Sequence, residues 1–385
     1  MVVERGMMRK QVLAILLSAI GFAAPKESGS TIAWIGTYTG PNSQGIYSVR
    51  FDPATGAPAA VKLAGEIVNP SFLAFHPKLD VLYAVTELGN DGKTNGSVSA
   101  FAMDRKNGSL KLLNTVSSGG GGACHLVADK TGRMLIVANY GSGSTASFPI
   151  LPDGRIGEIA TLMQHAKPAG DTPRQQRPHA HGVVLSPDNR FVFVPDLGLD
   201  QILAYRIDPA TAKLSPHDPP FTEVKKGSGP RHFTFHPSGK YAYALSEMGS
   251  LVTAFSYDAA AGKLRSLEAV TTLPADFKGQ NSTAEIEIDV RGRFLYASNR
   301  GHDSIAVFAI NRKQGTLKAV QTISTGGSTP RNFKIDPTGR YLWAANQKTN
   351  KIVVFSLDRR TGQLTPTGKT IDVTAPVCVI FATGL

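Results

Sequence analysis

Cysteine is almost absent. Two residues, Cys124 and Cys378, in a chain of 385 exclude a disulfide framework. Long apolar runs are scarce too. The single candidate, VLAILLSAIGFAA at 12–24, has 13 residues, short of the about 20 that cross a bilayer. It follows Arg9 and Lys10 and ends in small side chains, the pattern of an export signal. Residues 1–24 are therefore expected to be a leader that sends a domain at 30–385 to the periplasm or the exterior. Pro25 disfavours a cut directly after Ala24, so cleavage after Ala23 is the other choice. A cytoplasmic tail or an uncleaved anchor is the alternative. Nucleic-acid signals are missing although the net charge is +12. The cations are spread over turns such as DRKNGS, DRRTG and HPSGK without interleaved aromatics, which excludes a nucleic-acid groove and favours small anions or an anionic envelope. The glycine run SSGGGGACH (117–125) lacks the strand-to-helix setting of a phosphate loop.

What is present is a repeat. Sixteen residues recur six times without a gap, at 72–87, 125–140, 182–197, 232–247, 285–300 and 332–347, spaced by 53, 57, 50, 53 and 47 residues. Each copy alternates, turns on a D/H-P-x-G-R type sequence and alternates again, which is the period-2 signature of paired strands. A second hairpin follows each, beginning at Ser97, Ser144, Gln201, Leu251, Ser304 and Lys351, with turns of Gly, Pro, Asp or Asn. Four antiparallel strands per repeat at this period predict an all-β, seven-bladed β-propeller. The seventh blade is split. GIYSVRFDPATG from Gly45, preceded by TIAWIGTYTG, has no first strand before it, and APVCVIFATGL from Ala375 has the missing pattern. Pairing the two chain ends would close the ring without a partner, so a monomer is expected. Both cysteines then fall on innermost strands with one blade between them, and read as free, buried thiols.

Two cassette positions converge on one mouth of the central channel. Just before each cassette stand Ser71, Cys124, His181, Arg231, Ala284 and Arg331; at its last position stand Glu87, Tyr140, Leu197, Glu247, Arg300 and Gln347. Such charge at positions a structural ring would fill with one small residue points to a site. Arg231 and Arg331 are suited to grip a carboxylate or phosphate, and Arg300 to stabilise an oxyanion. Glu247 and His181 are the candidates for proton transfer, Glu247 as a base because arginines keep it ionised. For any one residue, a structural ion-pair network is the competing reading. Glu87 ranks below Glu247, having no arginine in its blade at these positions. His125 and His232 share the first cassette position, one step along the strand from the site position, so both could pack or support the site; His125 is placed at the site and His232 in the framework. His76 and His236 stand where other copies carry Asp or Ser and read as turn formers. The longest interval contains QHAKPAGDTPRQQRPHAH (164–181), a covering loop that brings Arg174, Arg177 and His179 towards the site. His179 and His181 form an H-x-H pair, but no Asp or Cys cluster supports it, so no metal is expected.

WIGTYTG, GSGPRHFTFHPSGKYAYALSE, FKGQNSTAEI, LYASNRGHDSI and TPRNFKIDPTGRYL together resemble the lactonase family of seven-bladed propellers, which includes propeller-type 6-phosphogluconolactonases and carboxymuconate lactonizing enzymes. The resemblance runs from about Thr31 to the end. It implies hydrolysis of a sugar lactone, or lactone formation in the cyclase branch, without metal or organic cofactor. It also implies a site of His181, Arg231, Glu247 and Arg300, with a small anionic or polar lactone as partner and neither nucleic acid nor membrane. The export signal argues against a phosphorylated substrate. A non-catalytic binding ring is the reading from another class.

Overall fold

The computed structural model describes residue 1 and residues 31–166 and 172–382. The leader expected at 1–24 lies, apart from Met1, outside the described residues, as do positions 167–171 of the long connection. Seven four-stranded antiparallel sheets form the ring, each meandering from an inner to an outer strand. Blade I is the split one: Pro376–Phe381 is innermost and pairs with Thr31–Thr37, followed by Gly45–Phe51 and Lys62–Glu66. Blades II to VII have inner strands Leu73–Phe75, Ala123–Ala128, Val184–Leu185, Pro230–Phe235, Ser282–Ile288 and Pro330–Ile335. The third strands of these six blades begin at the residues read from the second hairpins.

Between blades lie apolar layers, and the recurring tyrosine of the second strand ties them together. Tyr83, Tyr243 and Tyr296 are fully buried, yet each hydroxyl donates to a turn glycine of the next blade, Gly154, Gly315 and Gly362, at 2.9 Å. Trp34, at the same position of blade I, donates its indole N–H to Gly108 O at 3.0 Å. A buried Tyr or Trp usually finds a partner for its polar atom; Trp343, at the same position of blade VII, is fully buried with its indole N–H unpaired among the described residues. His76 and His236 are turn formers as expected. Their Nδ1 atoms serve their own turns, and their Nε2 atoms meet Gly132 O and Gly292 O of the following blade.

The inner strand of blade IV is cut to two residues. Opposite Gly182, the second strand carries Pro195, which has no N–H for the ladder.

Candidate active site

At the channel mouth six of the seven blades slip their ladder by one residue. Shifts fall at Cys124, Arg231 and Arg331, across Ala284, and opposite Val377 in the split blade. The bridge of Ala180 to Asp196 is likewise offset from the pairing of Val184 with Phe193, leaving His181 at the slip. A bulge re-aims a side chain. Hence Arg231 and His232, which strict alternation would separate, lie side by side, with Arg231 Nη1 donating to His232 Nε2 at 3.0 Å.

The last cassette position has a fixed address as well. Its N–H donates to the carbonyl two residues before the bulge residue: Glu87 to Asn69 (3.1 Å), Tyr140 to Gly122 (2.7 Å), Leu197 to His179 (2.9 Å), Glu247 to Gly229 (2.7 Å), Gln347 to Thr329 (2.9 Å). Tyr38 donates to Ala375 in the same way, at 3.1 Å. Tyr38 is thus the seventh copy of the position held by Glu247.

Glu247 is the hub. Oε2 lies 2.8 Å from Arg300 Nη2 and 3.0 Å from Arg231 Nε, whose N–H is not aimed at it; Oε1 accepts from Arg174 Nη1 at 2.6 Å. Burial alone would raise this carboxyl, but Arg300, Arg231 and Arg174 outweigh it and pull the pKa down to about 2. His181 Nε2 stands 3.9 Å from Oε2, and burial, with Arg231 and His232 adding, holds its imidazole neutral, well below its ordinary pKa. Arg231 is 3% exposed and drawn down to about 10 by burial and by Arg331 and Arg300, so it stays cationic at neutral pH. Its Nη1 is committed to Ala284 O and His232. Arg300 Nη2 also donates to Thr283 O at 2.7 Å. Among the described residues, Arg231 Nη2 and Arg300 Nη1 have no protein acceptor.

Arg331 belongs to a second cluster. It stands 5.3 Å from the Tyr38 ring centroid, and Tyr38 donates to Glu87 Oε2 at 2.9 Å. Burial would lower Arg331, yet Tyr38, Glu87 and Glu247 raise it above its usual value. Among the described residues it makes no hydrogen bond or ion pair.

The remaining candidates lie around these clusters. His179 stacks on Tyr140 (4.3 Å between centroids), and its Nδ1 meets Tyr140 O at 2.8 Å; Arg174 Nη2 donates to Tyr140 Oη at 2.9 Å. Arg177 ties the connection to Asp91 O and Asn90 O, at 2.7 and 2.9 Å. His125 stacks on Phe72 at 3.8 Å, and its other ring neighbour is His232. His232 is nearer the charged cluster than His125: it touches Arg231 on one side and Glu285 Oε1, at 2.9 Å, on the other. Glu285 Oε2 accepts from Asn332, and Asn332 Oδ1 from Val379 N–H. This layer closes beneath the arginines. Below it a cavity of about 190 Å³ is lined by Glu285, Glu287, Lys334 and Cys378, among others. Roomier clefts, about 360 Å³ beside Arg291 and about 630 Å³ beside Arg133, lie among turns at the opposite end of the strands from Arg231, Arg300 and Glu247. Cys124 Sγ is 3.8 Å from His181 Nδ1, but burial pushes this thiol up and keeps it protonated. Both cysteines are free and buried. Among the described residues no three His, Cys, Asp or Glu side chains gather as a metal group, and no helix is long and apolar enough to cross a membrane.

Tyr38 was missed by the cassette comparison, because its blade is divided between the chain ends. Carrying the pairing of 375–385 with 31–38 through to the last cassette position would have placed it.

Fold and mouth together define a propeller whose channel entrance gathers arginine, carboxylate and imidazole. The family described as Lactonase, 7-bladed beta-propeller, matches residues 32–381, and the chain belongs to it and is a lactonase. It is 36% identical over 351 residues to 6-phosphogluconolactonase of Bacillus subtilis (strain 168), covering 91% of this chain and 98% of that protein. A 6-phosphogluconolactonase of Formosa agariphila is 36% identical over 306 residues, 78% of this chain and 85% of that one. The structure of Pseudomonas aeruginosa periplasmic gluconolactonase superposes with a TM-score of 0.87 at 33% identity, covering 92% of this chain and all of that one.

Proposed function

We propose that this enzyme hydrolyses a sugar lactone at the mouth formed by Glu247, Arg231, Arg300, His181 and Arg331. The supporting observation is the 3.9 Å separation of His181 Nε2 and Glu247 Oε2, which one attacking water can span. A carboxyl held near 2 is a weak base, so His181 takes the proton and Glu247 steadies the imidazolium that forms. Water oxygen bonds to the lactone carbonyl carbon, and its proton passes to His181 Nε2. The free hydrogens of Arg231 Nη2 and Arg300 Nη1 meet the oxyanion. The ring C–O bond then breaks, His181 returns its proton to the leaving oxygen, and the hydroxy acid departs as its carboxylate, releasing one proton. Arg331 holds the polar or anionic end of the substrate. The relatives from Bacillus subtilis, Formosa agariphila and Pseudomonas aeruginosa are all named for gluconolactones, and the expected leader together with the periplasmic relative favours export.

The test is the opening of glucono-lactone and of its 6-phosphate by purified protein. His181→Gln should lower kcat by about a hundredfold or more. No acceleration over buffer with either lactone sinks the reading; turnover of a carboxymuconate instead supports cycloisomerisation.

A further inference from the structure

Outside the mouth lies a second hydroxyl, imidazole and carboxylate in line. Thr145 Oγ1 is 3.0 Å from His165 Nε2, and His165 Nδ1 is 2.6 Å from Asp196 Oδ2. Their order is that of a nucleophilic triad. All three side chains are sealed from solvent, with Thr145 and Asp196 at 0% exposure, so no substrate reaches them.

The other blades show what stands in their place. Asp196 is the fifteenth cassette residue, where three other copies carry Asn139, Asn299 and Asn346. Each asparagine donates its side-chain amide to the main-chain oxygen of the residue just after the preceding blade's outer strand: Ser118 (3.0 Å), Thr272 (3.0 Å) and Thr325 (3.2 Å). His165 is the matching residue before blade IV, since its N–H donates to Gly143 O as those of Ser118, Thr272 and Thr325 donate to Gly96, Ser250 and Asp303. A main-chain latch has become a side-chain pair at the one junction where the connection is longest. Asp196 also reaches the far end of that connection. Its Oδ1 accepts N–H bonds from His179 (2.8 Å), Gly198 (2.9 Å) and Leu199 (3.1 Å). One carboxylate therefore holds the stem at His165 and the exit at His179. Between them Gln175 donates to Leu197 O at 2.9 Å, and Arg174 reaches Glu247. Two residues past His179 is His181.

We infer that Asp196 and His165 form a positioning latch: by gripping both ends of the connection, they set where Arg174, His179 and His181 stand relative to Glu247. The inference rests on the lactonase reading for its kinetic effect only. Misplacement of about 1 Å at a reacting group costs on the order of a hundredfold, so the latch acts on turnover more than on substrate affinity.

Two variants test it. His165→Ser removes the ring. Asp196→Asn combined with His165→Ser transplants the Asn139 and Ser118 arrangement, which restores a blade junction without the side-chain spacer. In the double variant we expect a Tm close to that of the wild type, faster amide exchange across 172–181, and kcat lower by about tenfold or more with a smaller change in KM. Wild-type exchange and wild-type kcat in both variants overturn the latch, leaving a blade staple. Altered exchange with unchanged kcat overturns its positioning role. If the wild-type protein opens no lactone, the functional reading fails and exchange alone judges the latch.

Discussion

Glu247 and Arg331 carry opposite charges and opposite amounts of bonding. Glu247 is shared by three arginines, so its removal leaves buried cations without a counter-charge, which is far more costly than losing one contact. Glu247→Ala should therefore lower Tm by several degrees as well as abolish turnover. Arg331→Met, which breaks no hydrogen bond or ion pair among the described residues, should raise KM about tenfold or more with a much smaller loss of Tm than Glu247→Ala. Thermal melts beside steady-state kinetics separate the two, and a large Tm loss in Arg331→Met would count against a free substrate-gripping arginine. At this scale the sequence was informative about identity and poor about pairing. Arg231, Arg300, Glu247 and His181 converge as their repeat positions implied. Arg174 was visible only as extra charge near the loop, because a contact across 73 residues has no periodic trace. Glu87 was ranked low for lacking an arginine in its own blade, whereas its partner Tyr38 comes from the neighbouring one.

At the scale of strands, the hairpin starts were legible to the residue because turn chemistry and alternation are local. The bulges were not. Alternation presumes an unbroken ladder, and the slip at Arg231 is what lets Arg231 and His232 face the same channel. Gly182 shows how little room the bulged strands leave: a Cβ there would stand 3.1 Å from both Arg231 O and Pro195 Cγ. Gly182→Ala should thus disturb Arg231 and reduce kcat/KM more than it reduces Tm, measurable in the same assays. The tyrosine struts are a separate matter. Tyr296→Phe keeps the packing but deprives Gly362 O of its donor, and should cost about 1 kcal/mol in denaturant unfolding. An unchanged midpoint would show that the hydroxyl contributes nothing between blades.

For the whole molecule, the histidines beneath and within the mouth set the acid response. Burial first, then neighbouring charge, holds His125, His181 and His232 neutral, well below the ordinary imidazole value of 6.5. The unfolded chain binds those protons near that pH and the folded chain does not, so stability falls as pH drops below about 6.5, by up to about 1.4 kcal/mol per pH unit for each histidine. Glu247 adds its own loss later, as pH falls from about 4.5 towards its folded value of about 2. Melting temperatures recorded from pH 8 to pH 5 should decline below about pH 6.5, before Glu247 begins to titrate; a flat profile between about 6.5 and 5 contradicts neutral buried imidazoles. The pairing of Pro376–Phe381 with Thr31–Thr37 carries a consequence in time. A ribosome releases residue 31 long before residue 376, so through nearly all of synthesis the first-made strand lacks its neighbour. The last blade to be completed is the first one begun, and a chain stopped short of residue 376 has six blades and an open seam.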